Sequence, residues 1–110
     1  MSTGTIGPNG VHYVFVNTTP NTRLLVTVTV AAPQGGAPKI GVFPLTPQPD
    51  MSDKKFQGAS NNDGQGLSGA FEVGAGLAVW VANPRDPQHP DAVAHWDVLS
   101  AVPSAGRERD

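Results

Sequence analysis

"RLLVTVTVA", residues 23–31, decides the fold class because its apolar and polar side chains alternate over the whole stretch. One face carries Leu24, Val26, Val28 and Val30, and the other carries Arg23, Thr27 and Thr29. Successive side chains of a β-strand point to opposite sides of its sheet, so a period of two separates a buried face from a wet one. The stretch therefore predicts a β-strand with one face in a core and one in solvent.

Five further segments are apolar, β-branched or aromatic and stop at Gly, Pro or Asn, which favour turns. They are residues 11–16, 39–43, 67–73, 77–82 and 93–102. The 13 glycines and 11 prolines among 110 residues interrupt long helices. We predict one domain over residues 1–102 and a disordered tail over 103–110.

Six short strands at these spacings predict an all-β fold, a small antiparallel β-sandwich of jelly-roll type, with an open β-barrel as the alternative. In its short apolar strands and late aromatic pair, the pattern is similar to small jelly-roll and carbohydrate-binding accessory domains in general. "GAG", residues 74–76, predicts a tight hairpin. Residues 44–66 show no periodicity and are expected to form a binding loop or flap, or a short helix at 50–57 capped by Asp50 or Ser52.

Composition excludes several function classes. Only 15% of residues are charged and the net charge is −2, so no basic surface is expected for nucleic acid. Without cysteine the chain has no disulfides or thiolate metal sites. No apolar run approaches the roughly 20 residues of a membrane span. The first ten residues lack a signal-peptide pattern, so a cytoplasmic location is expected by default, although a removed leader or an excised domain would look the same.

The stretch "NPRDPQHPDAVAHWD", residues 83–97, is the predicted ligand-binding region. We expect it to contain the loop of a hairpin between residues 77–82 and 93–102. In a register symmetric about Gln88, Trp80 faces Trp96 and both indoles lie in the core. A shift of one residue turns Trp80 outward beside His95 and Asp97.

The shifted register predicts a carbohydrate site. An exposed indole offers an apolar face to a sugar ring, and a carboxylate and an imidazole can hydrogen-bond its hydroxyls. The predicted ligand-binding residues are Trp80, Arg85, Asp86, His95 and Asp97. Burial of both tryptophans in the core is the alternative.

Metal sites are weakly indicated. His89, Asp91 and His95 have the chemistry of zinc ligands, but their spacing does not bring them together without a special bend in the loop. "NNDGQG", residues 61–66, resembles the front of a calcium loop but lacks the closing bidentate Glu, and an ordinary Asn-Gly-type turn is preferred. Its would-be ligands are Asn61, Asp63 and Gln65. No cofactor is expected.

Catalytic patterns are equally incomplete. "GLSGA", residues 66–70, falls one residue short of a nucleophile elbow and lies in a predicted strand, where Ser68 has no evident base. A glycosidase that uses a pair of carboxylates is poorly supported, since Glu72 lies on a predicted strand near a glycine turn and the sequence does not indicate which second carboxylate would act with it. The chain is therefore not expected to be an enzyme.

The leading hypothesis is a non-enzymatic, oligomeric binding module for carbohydrate. Oligomerisation is expected because residues 11–16 and 77–82 are apolar on both sides, which calls for a further covering surface, such as a copy of the chain. The alternative is a structural or assembly protein that self-associates or docks on a protein partner and has no small-molecule ligand.

Overall fold

A computed structural model of the chain describes residues 2–58 and 67–104. The described residues form an all-β fold without helix, in which two four-stranded antiparallel sheets pack face to face. The predicted β-sandwich is confirmed, and the fold is not a closed barrel. The strands are β1 (Ser2–Ile6), β2 (Gly10–Val16), β3 (Arg23–Ala31), β4 (Lys39–Pro44), β5 (Gln57–Gly58), β6 (Leu67–Gly74), β7 (Leu77–Asn83) and β8 (Ala94–Pro103).

Strand order places β3 inside one sheet and β7 inside the other. Sheet A has the order β1-β8-β3-β6, and sheet B has the order β2-β7-β4-β5. β3 pairs with β6 without interruption from Arg23↔Gly74 to Val30↔Leu67. Its pairing with β8 shifts register between Thr27 and Val28, so a β-bulge changes which β8 side chains face outward.

The alternation in residues 23–31 is confirmed. Val26, Val28 and Val30 are at most 1% exposed and face sheet B. The inner core between the sheets combines these valines with apolar residues from six other strands. Its other fully buried members are Ile6, Ile40, Val73, Val79, Val81, Ala94 and Val98.

A second apolar cluster lies on the outer face of sheet B. Ala78, Trp80 and Ala82 alternate with the inward valines of β7 and pack with Phe43 and Phe56. Residues 45–56, which we call the strap, follow β4 and lay Phe56 and Met51 against this face. The surface that covers β7 is thus a segment of the same chain, which removes one reason for expecting a partner there.

A short helix at residues 50–57 was the alternative prediction for this segment. The described residues have turns there and no helix. Asp50 Oδ1 accepts hydrogen bonds from the Ser52 amide at 2.8 Å and the Ser52 hydroxyl at 2.7 Å. Asp53 Oδ1 accepts one from the Lys55 amide at 2.9 Å. Asp50 therefore caps a single turn, because each carboxylate satisfies a local amide without a following helical ladder.

Both predicted hairpins are wrong, because β6, β7 and β8 do not pair in sequence order. β7 lies in sheet B, whereas β6 and β8 flank β3 in sheet A. Gly76, at φ +83°, allows the two-residue connection from β6 to β7 to turn sharply. The buried Asn17 side chain donates to the Val73 carbonyl at 2.9 Å, which fixes this crossing from the end of β2.

The connection from β7 to β8 also crosses between the sheets. The Asn83 side chain is 3% exposed and donates to the carbonyls of Ile6 at 3.0 Å and Ala92 at 3.2 Å. One amide group thereby satisfies two buried acceptors and joins β1, β7 and the loop before β8. A buried carbonyl left unpaired is costly, so these bonds favour the observed crossing.

The chain termini differ in part from the predictions. β1 was not predicted, and β8 runs to Pro103, one residue past the predicted domain boundary. Ser104 is buried and its amide donates to the Arg23 carbonyl at 3.0 Å. The rest of the predicted tail, residues 105–110, and the would-be calcium ligands at 61–65 lie outside the described residues. The part of the chain that is described contains no helix long and apolar enough to cross a membrane.

Candidate functional site

The five predicted ligand-binding residues do not form one site. Trp80 lies in sheet B between Tyr13 and Gly41 and is 4% exposed, so the prediction of an exposed Trp80 is wrong. His95 and Asp97 lie on β8 in sheet A and point away from the inner core, as the shifted register predicts. The assignment of side chains to faces was therefore sound, but the two strands belong to different sheets.

Arg85 and Asp86 lie in the loop between β7 and β8. The Arg85 amide donates to Asn9 Oδ1 at 3.2 Å, which ties the loop to the turn between β1 and β2. Asp86 Oδ2 lies 3.0 Å from His89 Nδ1, and this hydrogen bond, helped by one from the Gln88 amide, lowers the pKa of Asp86. The loop is thus braced internally, and neither predicted residue lines the depression described next.

His89, Asp91 and His95 do not form a metal site. Within residues 2–58 and 67–104, no three His, Asp or Glu side chains come close enough together to hold an ion. His89 is instead committed to Asp86, and its ring lies against Gly35, where an added Cβ would be 2.7 Å from Nδ1.

A shallow depression of about 240 Å³ lies where β1, β8 and β3 run side by side. Two rows of residues, each aligned across β1, β8 and β3, run through the depression. In the first, Asp97 pairs with Thr3 on one side and Thr29 on the other; in the second, His95 pairs with Thr5 and Ala31. Directly opposed residues project from the same face of a sheet, so these side chains share the outer surface of sheet A. Gly4 and Trp96 complete the lining.

The polar groups of the depression are not used to hold the fold together. Among the described residues, the side chains of Thr3, Thr5, Thr29, His95 and Asp97 make no hydrogen bond or ion pair. Asp97 and Thr29 are half-buried, and the other three are exposed. Three hydroxyls, an imidazole and a carboxylate therefore converge with their donors and acceptors available.

Trp96 is the tryptophan that belongs to this region. It is half-buried, packs against the edge of the inner core and lies beside Gly4 on β1. A Cβ at Gly4 would be 2.6 Å from Trp96 Cζ2, so glycine is needed for this approach of the indole to the strand. Sequence reasoning selected Trp80 because it paired the wrong strands.

A larger cavity of about 590 Å³ lies at the other end of β3, around Arg23, Leu24, Gly74 and Ser104. Its charged groups are already engaged. Arg23 Nη1 lies 3.5 Å from Glu72 Oε1, and the Ser104 hydroxyl donates to Glu72 Oε2 at 3.0 Å. The cavity therefore offers less unsatisfied hydrogen-bonding capacity than the smaller depression, which we take as the candidate site.

Sequence reasoning found His95 and Asp97 but missed the three threonines. The alternation of Thr27 and Thr29 with valine placed them on a wet face, and Thr3 and Thr5 show the same spacing about Gly4. Only the pairing of β1 and β3 with β8 brings them together. No protein-family model, curated protein or solved structure significantly matches this chain. Its function is therefore inferred from the chemistry of the described surface.

Proposed function

We propose that the protein is a non-enzymatic carbohydrate-binding module whose site is the depression on the outer face of sheet A. One observation supports this most strongly: five polar side chains that make no internal hydrogen bond are aligned in two rows across β1, β8 and β3. Adjacent hydroxyls of a sugar need donors and acceptors placed side by side. Threonine hydroxyls supply both, a carboxylate accepts, and a neutral imidazole does one of each.

The composition of the lining favours a neutral, hydroxyl-rich ligand. Among the described residues that line it, Asp97 is the only carboxylate, and none is a Lys or Arg that would attract a phosphate or a carboxylate. Hydrogen bonds to an ionised group are stronger than those between neutral groups, so Asp97 is expected to contribute the most. Trp96 adds apolar surface at the edge of the depression, where the carbon face of a sugar could pack.

The proposal assigns binding without bond cleavage. Glycoside hydrolysis usually requires two carboxylates about 5–10 Å apart, one as acid and one as base or nucleophile. Among the described residues, Asp97 is the one carboxylate that lines the depression, whereas Glu72 lies elsewhere on sheet A and accepts a hydrogen bond from Ser104.

A glycan array followed by titration calorimetry tests this function. We expect at least one oligosaccharide to bind. Asp97→Asn should weaken binding by about tenfold, because Asn keeps an acceptor but replaces a charged hydrogen bond of about 1.5–3 kcal/mol with a neutral one of about 0.5–1.5 kcal/mol. Ser68→Ala is the matched control, because Ser68 pairs with Thr29 on the outer face but lies outside the depression. Absence of glycan binding, or equal affinity of the Asp97→Asn variant, would contradict the proposal.

A second function, self-association, has a specific observation in its favour. Leu25 and Val102 are opposed on the outer face of sheet A and are 37% and 47% exposed, and Leu99 at the bulge is 51% exposed. Three large, exposed apolar side chains on the outside of this sheet favour contact with another copy or a protein partner. Sedimentation velocity would show a dimer that Leu99→Lys dissociates. A monomer at every concentration would contradict it.

A further inference from the structure

The apolar cluster beneath the strap contains a polar group that the fold does not satisfy. Trp80 Nε1 is buried and has no hydrogen-bond partner in the described part of the chain. The indole packs with Phe43 and Phe56, and the Tyr13 ring meets it edge-on with centroids 5.5 Å apart. A buried N–H without an acceptor is unfavourable, so a ligand that supplies an acceptor to Trp80 Nε1 would be favoured here.

The strap that closes the cluster is held by few bonds. Its carboxylates, Asp50 and Asp53, accept from amides of their own turns and do not bridge to the sheet. Among the described residues, one hydrogen bond ties the strap to sheet B, from Lys39 Nζ to the Met51 carbonyl at 3.2 Å, together with the packing of Phe56 and Met51 and the placement of Lys55 over the Phe43 ring. A covering segment with so few connections can separate from the sheet without disrupting the inner core.

The same surface carries unneutralised positive charge. Lys39 pairs with Ala82, which places its side chain on the face that carries Trp80, and it makes no ion pair with any described carboxylate. Lys55 Nζ lies 5.9 Å from the centre of the Phe43 ring. An aromatic floor, an unpaired N–H and two ammonium groups thus lie on one face.

From this juxtaposition we propose that the strap covers a second binding site, separate from the depression on sheet A, for an amphiphile with an apolar body and a carboxylate head. The apolar body takes the place of Phe56 and Met51 against the aromatic rings. The carboxylate accepts a hydrogen bond from Trp80 Nε1 and replaces the Met51 carbonyl as the partner of Lys39. A carboxylate offers two acceptor oxygens and neutralises the Lys39 ammonium group, whereas an alcohol can accept hydrogen bonds but brings no charge and a hydrocarbon brings neither.

Binding of decanoate to the full chain, measured by titration calorimetry, tests the proposal. We expect saturable binding, a loss of about tenfold in affinity in Trp80→Phe and in Lys39→Gln, and a change of less than twofold in Lys54→Gln. Trp80→Phe keeps an aromatic ring and removes only the donor and part of the indole. Lys54 is exposed and makes no hydrogen bond or ion pair with a described residue, so it controls for general attraction to a lysine. Decanol, which has the same tail without the charge, should bind at least tenfold more weakly.

A second readout measures binding on the wild-type chain and uses a variant only to assign the signal. In the wild-type chain, the Trp80 indole N–H resonance, identified with the help of Trp96→Phe, should move downfield as decanoate binds. An unmoved Trp80 resonance during binding would overturn the proposal, as would the absence of binding below the micellar concentration. Equal losses in Lys39→Gln and Lys54→Gln would also overturn it, since they would indicate adsorption by charge alone.

Discussion

Replacing Gly4 by alanine should destabilise the sandwich through a single contact. The added Cβ would lie 2.6 Å from Trp96 Cζ2, 2.8 Å from Cε2 and 3.0 Å from Nε1. Carbon atoms pack at about 3.5–4.0 Å, so the rigid indole or β1 has to move by about 1 Å. Overpacking of this kind costs about 1–3 kcal/mol, and alanine returns about 0.4–1 kcal/mol by restricting the unfolded chain. The expected net loss in the free energy of unfolding is the difference of these two ranges, up to about 2.6 kcal/mol.

Urea denaturation followed by tryptophan fluorescence measures this loss. Gly7→Ala is the matched control, because an added Cβ there meets nothing within 4 Å and its φ is not left-handed. That variant should be unchanged or stabilised by up to about 1 kcal/mol. In a Trp96→Leu background the Gly4→Ala loss should shrink, since the indole atoms are gone. A loss of the same size in both backgrounds would refute the indole contact as its cause.

Three further changes test other parts of the fold. Trp80→Ala should lower the free energy of unfolding by about 3–5 kcal/mol in chemical denaturation, because the side chain is buried. Leu99→Ala, at an exposed position, should change it by less than about 1 kcal/mol. Similar losses in the two variants would argue against the burial of Trp80. Asn83→Ala should cost about 1–3 kcal/mol in the same assay, because two buried carbonyls lose their donor, and a neutral result would show that the loop crossing does not need it. The pKa of Asp86 in the folded chain is lowered from 3.8, so the stabilisation that Asp86 contributes is present above about pH 3.8 and is lost as the pH falls through the folded pKa. The Tm of Asp86→Asn should therefore decline less steeply with acid than that of the wild-type chain. Parallel declines of the two Tm values would contradict the hydrogen bond between Asp86 and His89.

The strands themselves could be predicted from local sequence. Residues 23–31 have the predicted bounds, and the other five predicted strands differ from the observed ones by no more than one residue at either end. Each carries its own period or apolar run and ends at Gly, Pro or Asn. β1 and β5 were missed for opposite reasons. β1 is mainly Thr and Gly and has only Ile6 fully buried, while β5 has two residues and owes its form to pairing with β4.

The pairing of strands could not be predicted, and the candidate site depends on it. Ten residues between β7 and β8 are long enough either to close a hairpin or to pass from one sheet to the other. The hydrogen bonds from the Asn83 side chain to the carbonyls of Ile6 and Ala92 favour the passage between sheets, but the local sequence pattern does not predict them. Sequence reasoning therefore placed His95 and Asp97 on the correct face of their strand and gave them the wrong neighbours.

The residues on the outer faces of the two sheets explain why the surface beside Trp96 remains a candidate for direct ligand contact, whereas the strap covers Trp80. On sheet B, Trp80 and its neighbours are too apolar to face water, and the strap that follows β4 covers them. On sheet A, threonine, aspartate and histidine occupy the corresponding outward positions, so the face can stay open without a cover. An open polar face suits a hydrophilic ligand that competes with water for hydrogen bonds, whereas a covered apolar face with an unpaired N–H suits a ligand that competes with the strap. The two proposed sites therefore differ in chemistry for the same reason that the two sheets differ in their outward-facing residues.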